Sequence, residues 1–86
     1  MTYYIIDLIL YPKHEKLRTK EFFDGICIHP KLPNWWSCRV WPLKNEFKLV
    51  VQDILPLQIH DTIEIFNTPK RALGHMVIKD IIHESN

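Results

Sequence analysis

Glycine is scarce in this 86-residue chain, which contains only Gly25 and Gly74. A phosphate-binding loop requires two closely spaced glycines, the second of which is followed by a lysine. This arrangement does not occur here, since the two glycines stand far apart in the sequence. The sequence therefore excludes a phosphate-binding loop and, with it, GTP hydrolysis of that type.

The chain also has few cysteines, a small net charge and no long apolar run. Cys27 and Cys38 are the only cysteines, and the formal net charge is +1, so no global positive field attracts nucleic acid. No apolar run approaches the roughly 20 residues of a membrane-spanning helix. No basic and apolar leader segment is recognisable at the start of the sequence either. We therefore expect a cytoplasmic protein with no membrane partner and with both thiols reduced.

Short β-strands are the main feature that the sequence does predict. Runs rich in β-branched and aromatic residues alternate with turn-forming residues, and no segment has a convincing 3.6-residue apolar repeat. We interpret residues 1–86 as one all-β domain, a small antiparallel, Greek-key-like β-barrel of about six strands. Closure into a barrel removes the exposed edges that a small sheet would otherwise present. The predicted strands are Tyr3–Tyr11, Phe22–His29, Trp35–Trp41, Phe47–Ile54, Thr62–Phe66 and Leu73–Ile82.

The connections between these strands contain prolines, charged residues and turn signals. Lys13–Glu21 is the longest charged segment, and we expect it to form a loop. His60-Asp61 predicts a turn, and Asn67–Arg71 predicts a hairpin loop. Prolines, which supply no backbone N–H to a sheet, stand next to most of the strands: Pro12, Pro30, Pro33, Pro42 and Pro56.

Three motifs occur in a fixed order along the chain. The residues that carry them are Arg18, Phe22, Phe23 and Gly25 within Leu8–Gly25; Lys48–Val51 followed by Pro56 and Asp61; and Arg71, Gly74 and Val77. In this order they resemble the third, C-terminal β-barrel of translation elongation factor Tu. The resemblance spans most of the chain and is poor in Lys31–Glu46. It implies a stand-alone barrel in which one of Phe22 and Phe23 points inward and the other outward.

The same resemblance suggests an RNA contact. In the family, this barrel follows a GTPase domain and a second barrel, and its basic residues help to hold the T-stem of transfer RNA. Arg18 and Arg71 match two such positions and are the candidate RNA-contacting residues. However, Thr19 and Cys27 stand where the family has a histidine and an arginine, and the net charge is low. We therefore expect that nucleic acid is not the main partner.

Residues for catalysis or metal binding do not form a recognisable pattern. The five histidines, His14, His29, His60, His75 and His83, are scattered without the close spacing of a zinc site. Cys27 with His29 or His60 lacks a recognisable orienting group, and Asp53, Asp61 and Glu64 occupy positions typical of turns and strand ends. We therefore predict no catalytic residue, no metal ligand and no cofactor; the protein is not expected to be an enzyme.

Aromatic residues concentrate in the segment where the resemblance fails. Trp35, Trp36 and Trp41 lie close together beside Arg39, and strand alternation places Trp35, Arg39 and Trp41 on one face. These residues have three interpretations: packing of the tryptophans against the barrel with Arg39 stacked on a ring, a protein-binding face, or base stacking on single-stranded nucleic acid. The second interpretation makes Trp35, Arg39 and Trp41 the candidate partner-binding residues.

These features together favour a non-enzymatic protein-binding module whose partner is another protein. The narrower hypothesis is a bacterial immunity protein that neutralises a cognate toxin by occluding it. It follows from the small size of the chain and from its lack of recognisable catalytic and targeting motifs. The alternative is a translation-associated or transfer-RNA-binding β-barrel module. The sequence leaves the oligomeric state open.

Overall fold

Six strands form at the segments with β-branched, aromatic and alternating apolar residues. A computed structural model describes residues 1–52 and 56–84 of the protein. The predicted strand bounds agree with it to within a few residues, but the predicted end of the fourth strand, Ile54, lies outside the described residues. The strands are β1 (Thr2–Leu10), β2 (Phe23–Ile28), β3 (Trp35–Pro42), β4 (Phe47–Val51), β5 (Thr62–Thr68) and β6 (Arg71–His83).

The strands close into one antiparallel barrel. Their order around the barrel is β1-β4-β3-β2-β5-β6, with β6 returning to β1. Strands β2, β3 and β4 form a meander, and β1 lies beside β4, which is a Greek-key arrangement. The predicted fold class, a small antiparallel Greek-key β-barrel of six strands, is therefore confirmed.

The inward faces of the strands form a single apolar core. Ile6, Leu8 and Leu10 are all buried, as their alternation along β1 predicts. Phe23 is buried while Phe22 is only half-buried, so the two neighbouring rings do point to opposite sides. Completely or almost completely buried side chains from the other strands fill the centre: Cys27, Val40, Leu49, Ile63, Ile65, Met76 and Ile78.

The charged segment between β1 and β2 is not a loop. Pro12–Thr19 forms a 3-10 helix, with Pro12 in its first turn, where the missing N–H of proline costs no hydrogen bond. None of its residues is fully buried, which is why no apolar repeat indicated it. In a 3-10 helix residues three apart stand above one another. Glu15 and Arg18 have this spacing, and they form an ion pair.

The hairpin between β5 and β6 is tighter than the predicted loop Asn67–Arg71. Thr68 pairs with Arg71, so only Pro69 and Lys70 form the turn. Asn67 belongs to β5 and Arg71 begins β6. The predicted turn at His60-Asp61 is confirmed: Asp61 N–H donates to the Gln58 carbonyl at 3.0 Å, and His60 has a φ of 77°.

Gly74 allows β6 to approach β1 closely where the barrel closes. It pairs with Leu10 of β1 and with Ile65 of β5. A Cβ atom at this position would overlap the Ile9 carbonyl oxygen and lie 2.9 Å from the Leu10 Cα atom. Because both of these are backbone atoms, no side-chain rotation relieves the overlap.

We therefore predict that Gly74→Ala lowers the free energy of unfolding by about 3 kcal/mol, and that Gly74→Val lowers it further. Urea and thermal unfolding of the purified variants measure this loss. Gly25→Ala is the matched control, because its Cβ would lie 3.0 Å from the movable Ile65 side chain and from the Phe66 carbonyl oxygen. We expect a smaller loss there; equal losses in the two variants would contradict the assigned role of Gly74.

Candidate functional site

A cluster of one arginine, one carboxylate and two aromatic rings covers the outer face of β2 and β3. Asp24 pairs with Arg39 in the sheet register, so their side chains stand side by side. Arg39 Nε donates to Asp24 Oδ1 at 2.7 Å, and Arg39 Nη2 donates to Asp24 Oδ2 at 3.2 Å. We call this set, completed by Phe22 and Trp41, the Arg39 cluster.

The Phe22 and Trp41 rings of the Arg39 cluster both contact the Arg39 guanidinium through cation–π interactions. Arg39 Cζ lies 4.1 Å from the Phe22 ring centroid and 5.8 Å from that of Trp41. The Phe22 and Trp41 centroids are 4.9 Å apart, with the planes tilted by 45°. A cation over aromatic faces is attracted by their negative charge density. The rings and the carboxylate therefore fix the position of a side chain that remains 43% exposed.

Arg39 and Asp24 stabilise each other's charged forms. The hydrogen bonds from Arg39 hold the pKa of the Asp24 carboxyl below its ordinary value. The same bonds raise the pKa of the Arg39 guanidinium. Two of the five guanidinium N–H groups point at Asp24, which leaves three donors for another acceptor.

A groove and a hollow lie on either side of the Arg39 cluster. The groove, of about 630 Å³, is lined by Asp24, Arg39 and Trp41 of the cluster and, among others, by Met1, Val50 and Lys48. We call it the outer groove. The second space, of about 410 Å³, is lined by Phe22 and Asp24 of the cluster and by His14, Leu17, Lys20 and Arg71, among others. We call it the basic hollow.

The three candidate partner-binding residues do not form one cluster. Arg39 and Trp41 are in contact, but Trp35 pairs with Ile28 near the other end of β3. Trp35 is 56% exposed and makes no ring contact within residues 1–52 and 56–84. Phe22, which the sequence analysis did not include among the candidates, takes the place of Trp35 beside Arg39. The prediction that one of Phe22 and Phe23 points outward is the signal that could have identified it.

The two candidate RNA-contacting residues have different environments. Arg18 donates from Nε to both Glu15 carboxylate oxygens at 2.9 and 2.7 Å, and from Nη2 to the Leu8 carbonyl at 2.8 Å. Its Cζ also lies 5.2 Å from the Phe47 ring centroid. β4 begins at Phe47, which pairs with Ile6, so Arg18 occupies the side of β1 that β4 no longer covers. Arg71 is exposed and lines the basic hollow instead.

His29 and Asp61 join the end of β2 to the turn before β5. Lys31 N–H donates to His29 Nδ1 at 3.0 Å, so the ring proton is on Nε2, which donates to Asp61 Oδ2 at 3.1 Å. Asp61 Oδ2 also accepts from Gln58 N–H at 2.9 Å. The Gln58 hydrogen bond, followed by the His29 hydrogen bond, holds the pKa of the Asp61 carboxyl below its ordinary value. This arrangement connects the two loops and gives both ring nitrogens of His29 a hydrogen-bond partner.

Cys27 and Cys38 are buried free thiols on neighbouring strands. A hydrogen bond with Cys38, together with burial, raises the pKa of the Cys27 thiol. A thiol with a raised pKa carries little thiolate, which is the reactive form. Both side chains serve as core residues.

Neither a metal centre nor a membrane-crossing helix is visible in the described part of the chain. No three His, Cys, Asp or Glu side chains among these residues come together in a way that could hold a metal ion. Over the same residues, no helix is both long and apolar enough to cross a membrane.

Comparison of the chain with known protein families, curated proteins and solved structures finds no match.

We predict that Arg18→Gln lowers the free energy of unfolding by about 1 kcal/mol, because the Leu8 carbonyl and the Phe47 ring lose their partner. Arg71→Gln is the matched control and should change stability by less than about 0.5 kcal/mol, since Arg71 makes no hydrogen bond or ion pair within residues 1–52 and 56–84. Chemical denaturation at neutral pH measures both. An unchanged midpoint for Arg18→Gln would contradict its assigned internal role.

The low pKa of Asp61 predicts a loss of stability in acid. The Asp61 carboxylate contributes fully to the free energy of unfolding above its unfolded-state pKa of about 4. This contribution is lost as the pH falls through the folded-state pKa. Asp61→Asn should therefore be less stable at neutral pH, by about 1 kcal/mol, and lose less stability between about pH 5 and 3. Part of the acid loss should remain, since the pKa of Asp24 is also lowered.

Urea midpoints measured across this pH range provide the test, and Glu64→Gln provides the control. Glu64 is exposed and makes no hydrogen bond or ion pair within the described ranges. Its variant should follow the wild-type pH curve. If Asp61→Asn followed that curve as well, the Asp61 carboxylate would not have the stabilising role described above.

Proposed function

We propose that this barrel is a non-enzymatic protein-binding module that uses the Arg39 cluster and the outer groove as its contact face. The observation that carries the proposal is the half-exposed stack of Phe22, Arg39 and Trp41 beside a groove of about 630 Å³. Arginine and large aromatic residues are the side chains that most often dominate the binding energy of protein interfaces.

Preorganisation supports this role for the cluster. The Asp24 carboxylate and the two rings hold Arg39 in place, so little side-chain entropy is lost when a partner binds. Three guanidinium N–H donors remain for a carbonyl or carboxylate of the partner. The outer groove beside Trp41, with Met1 and Val50 in its lining, offers an apolar space for a partner side chain.

The partner that we favour is a bacterial toxin, which would make this barrel an immunity protein that occludes the toxin's active site. A small closed barrel without exposed sheet edges suits this role, because it stays soluble and presents a fixed surface. Both cysteines are free and buried, which is consistent with our proposal of a cytoplasmic, reducing environment.

The RNA-binding alternative rests on the resemblance to the third barrel of elongation factor Tu. Of the two residues that it suggests, Arg18 is bound by Glu15 and Leu8, and only Arg71 is free of such contacts among residues 1–52 and 56–84. The affinity of a protein for an RNA backbone depends on several phosphate contacts, and one free arginine supplies few of them. The RNA-binding alternative predicts recovery of RNA in place of a protein partner.

The proposal is tested by capture from an extract of the native host with the tagged full-length chain, followed by affinity measurement on the purified partner. We expect a protein to bind, and Trp41→Ala to weaken the affinity by about 2 kcal/mol, or roughly thirty-fold. Ile9→Ala is the matched control, because Ile9 is 51% exposed on β1 and lines neither the outer groove nor the basic hollow. It should bind like the wild type.

Co-expression distinguishes the toxin hypothesis from other protein partners. If a toxin gene adjoins the gene for this chain, the wild type and Ile9→Ala should restore growth, and Trp41→Ala should not. Circular dichroism confirms that each variant is folded. Recovery of RNA alone, with steeply salt-dependent binding, would favour the alternative, and equal binding by Trp41→Ala and Ile9→Ala would contradict the proposed contact face.

A further inference from the structure

The basic hollow lies at the point where β2 separates from β5. These strands pair only through Ile26–Ile28 and Glu64–Phe66, although β2 begins at Phe23. Before Gly25 the two strands diverge, and the 3-10 helix and the start of β6 border the space between them. Its volume of about 410 Å³ lies in the range of sites for small molecules.

Two cations line the hollow without being neutralised. The Lys20 and Arg71 side chains are exposed, and neither makes a hydrogen bond or ion pair in the described part of the chain. Asp24 also lines the hollow, but its two carboxylate oxygens accept hydrogen bonds from Arg39 at 2.7 and 3.2 Å. The unpaired charge in the hollow is therefore positive.

A buried histidine nitrogen points to a missing hydrogen-bond partner in the same place. His14 lines the hollow, and its Nε2 atom is buried without a partner among residues 1–52 and 56–84. Buried polar atoms in proteins nearly always have a partner, and one without a partner requires an explanation. Because the Nε2 atom is also shielded from solvent, the imidazole ring must rotate toward the hollow before an oxygen atom of a bound anion can supply the partner.

The other side of the hollow is apolar. Leu17 and Phe22 are half-buried and line it together with the buried Phe23 and Leu73. A site that combines two cations and an imidazole with an aromatic wall suits an anion that carries an organic group. An RNA backbone is a poorer fit, because its affinity depends on several phosphate contacts and the second candidate arginine, Arg18, is bound internally.

We propose that the basic hollow binds a small phosphate monoester. Lys20, Arg71 and the His14 imidazole contact the phosphate group, and Leu17 and Phe22 contact the organic group. This proposal does not depend on the protein-binding role proposed above, although Phe22 and Asp24 belong to the Arg39 cluster and also line the hollow. Arginine suits this task because its planar fork donates two parallel hydrogen bonds to a phosphate.

The test is titration calorimetry of the full-length protein with phenyl phosphate and with inorganic phosphate at constant ionic strength. We expect saturable binding of one phenyl phosphate per chain and weaker binding of inorganic phosphate, since inorganic phosphate lacks the ring that contacts Leu17 and Phe22. Arg71→Gln should weaken phenyl phosphate binding by about ten-fold or more. Lys20→Gln should weaken it too, and it serves as the second variant if Arg71→Gln does not fold.

Lys70→Gln is the matched control, because Lys70 is an exposed neighbouring cation in the turn and does not line the hollow. Its affinity for phenyl phosphate should remain within about two-fold of the wild type. Absence of saturable binding, or equal weakening in Arg71→Gln and Lys70→Gln, would overturn the proposal. Tighter binding of a short RNA than of phenyl phosphate, with the same sensitivity to Arg71→Gln, would also overturn it in favour of a nucleic-acid site.

Discussion

The pairing of β6 with both β1 and β5 is the constraint on which the rest of this structure depends. β6 is the longest strand, with 13 residues, and it pairs with β1 from Leu10 to Thr2 and with β5 from Thr68 to Thr62. Without it, the other five strands would form an open sheet with two unpaired edges. Register shifts near Ile5 and Phe66 bend the strands as the sheet closes, and Gly74 provides the space for the closest backbone approach.

Closure of the barrel also creates the surface features that carry the two proposals. Strands β2 and β3 stay paired from Phe23 to Ile28, so Asp24 and Arg39 meet on the outer face and organise Phe22 and Trp41 around them. On the other side of β2, pairing with β5 stops at Ile26, and the basic hollow forms beside the separation. The Arg39 cluster thus lies between the outer groove and the basic hollow.

Much of the fold could be predicted because strand formation depends on local patterns. Alternating apolar residues identified the strands and the inward face of β1, and prolines and the His60-Asp61 pair identified the connections. The 3-10 helix Pro12–Thr19 was missed, since it buries no residue and has no apolar period. The hairpin loop was predicted too long, because the pairing of Thr68 with Arg71 depends on register rather than on residue type.

The sequence by itself determined the all-β class, the lack of a glycine-rich nucleotide loop and the strand face that Arg39 and Trp41 share. These follow from composition and from the two-residue alternation of a strand. Only the tertiary structure decided that Phe22 rather than Trp35 contacts Arg39. It also decided that Arg18 donates a hydrogen bond to the Leu8 carbonyl, and that Lys20 and Arg71 line the same hollow. These contacts join residues on different elements, and their distances are set by strand order and register.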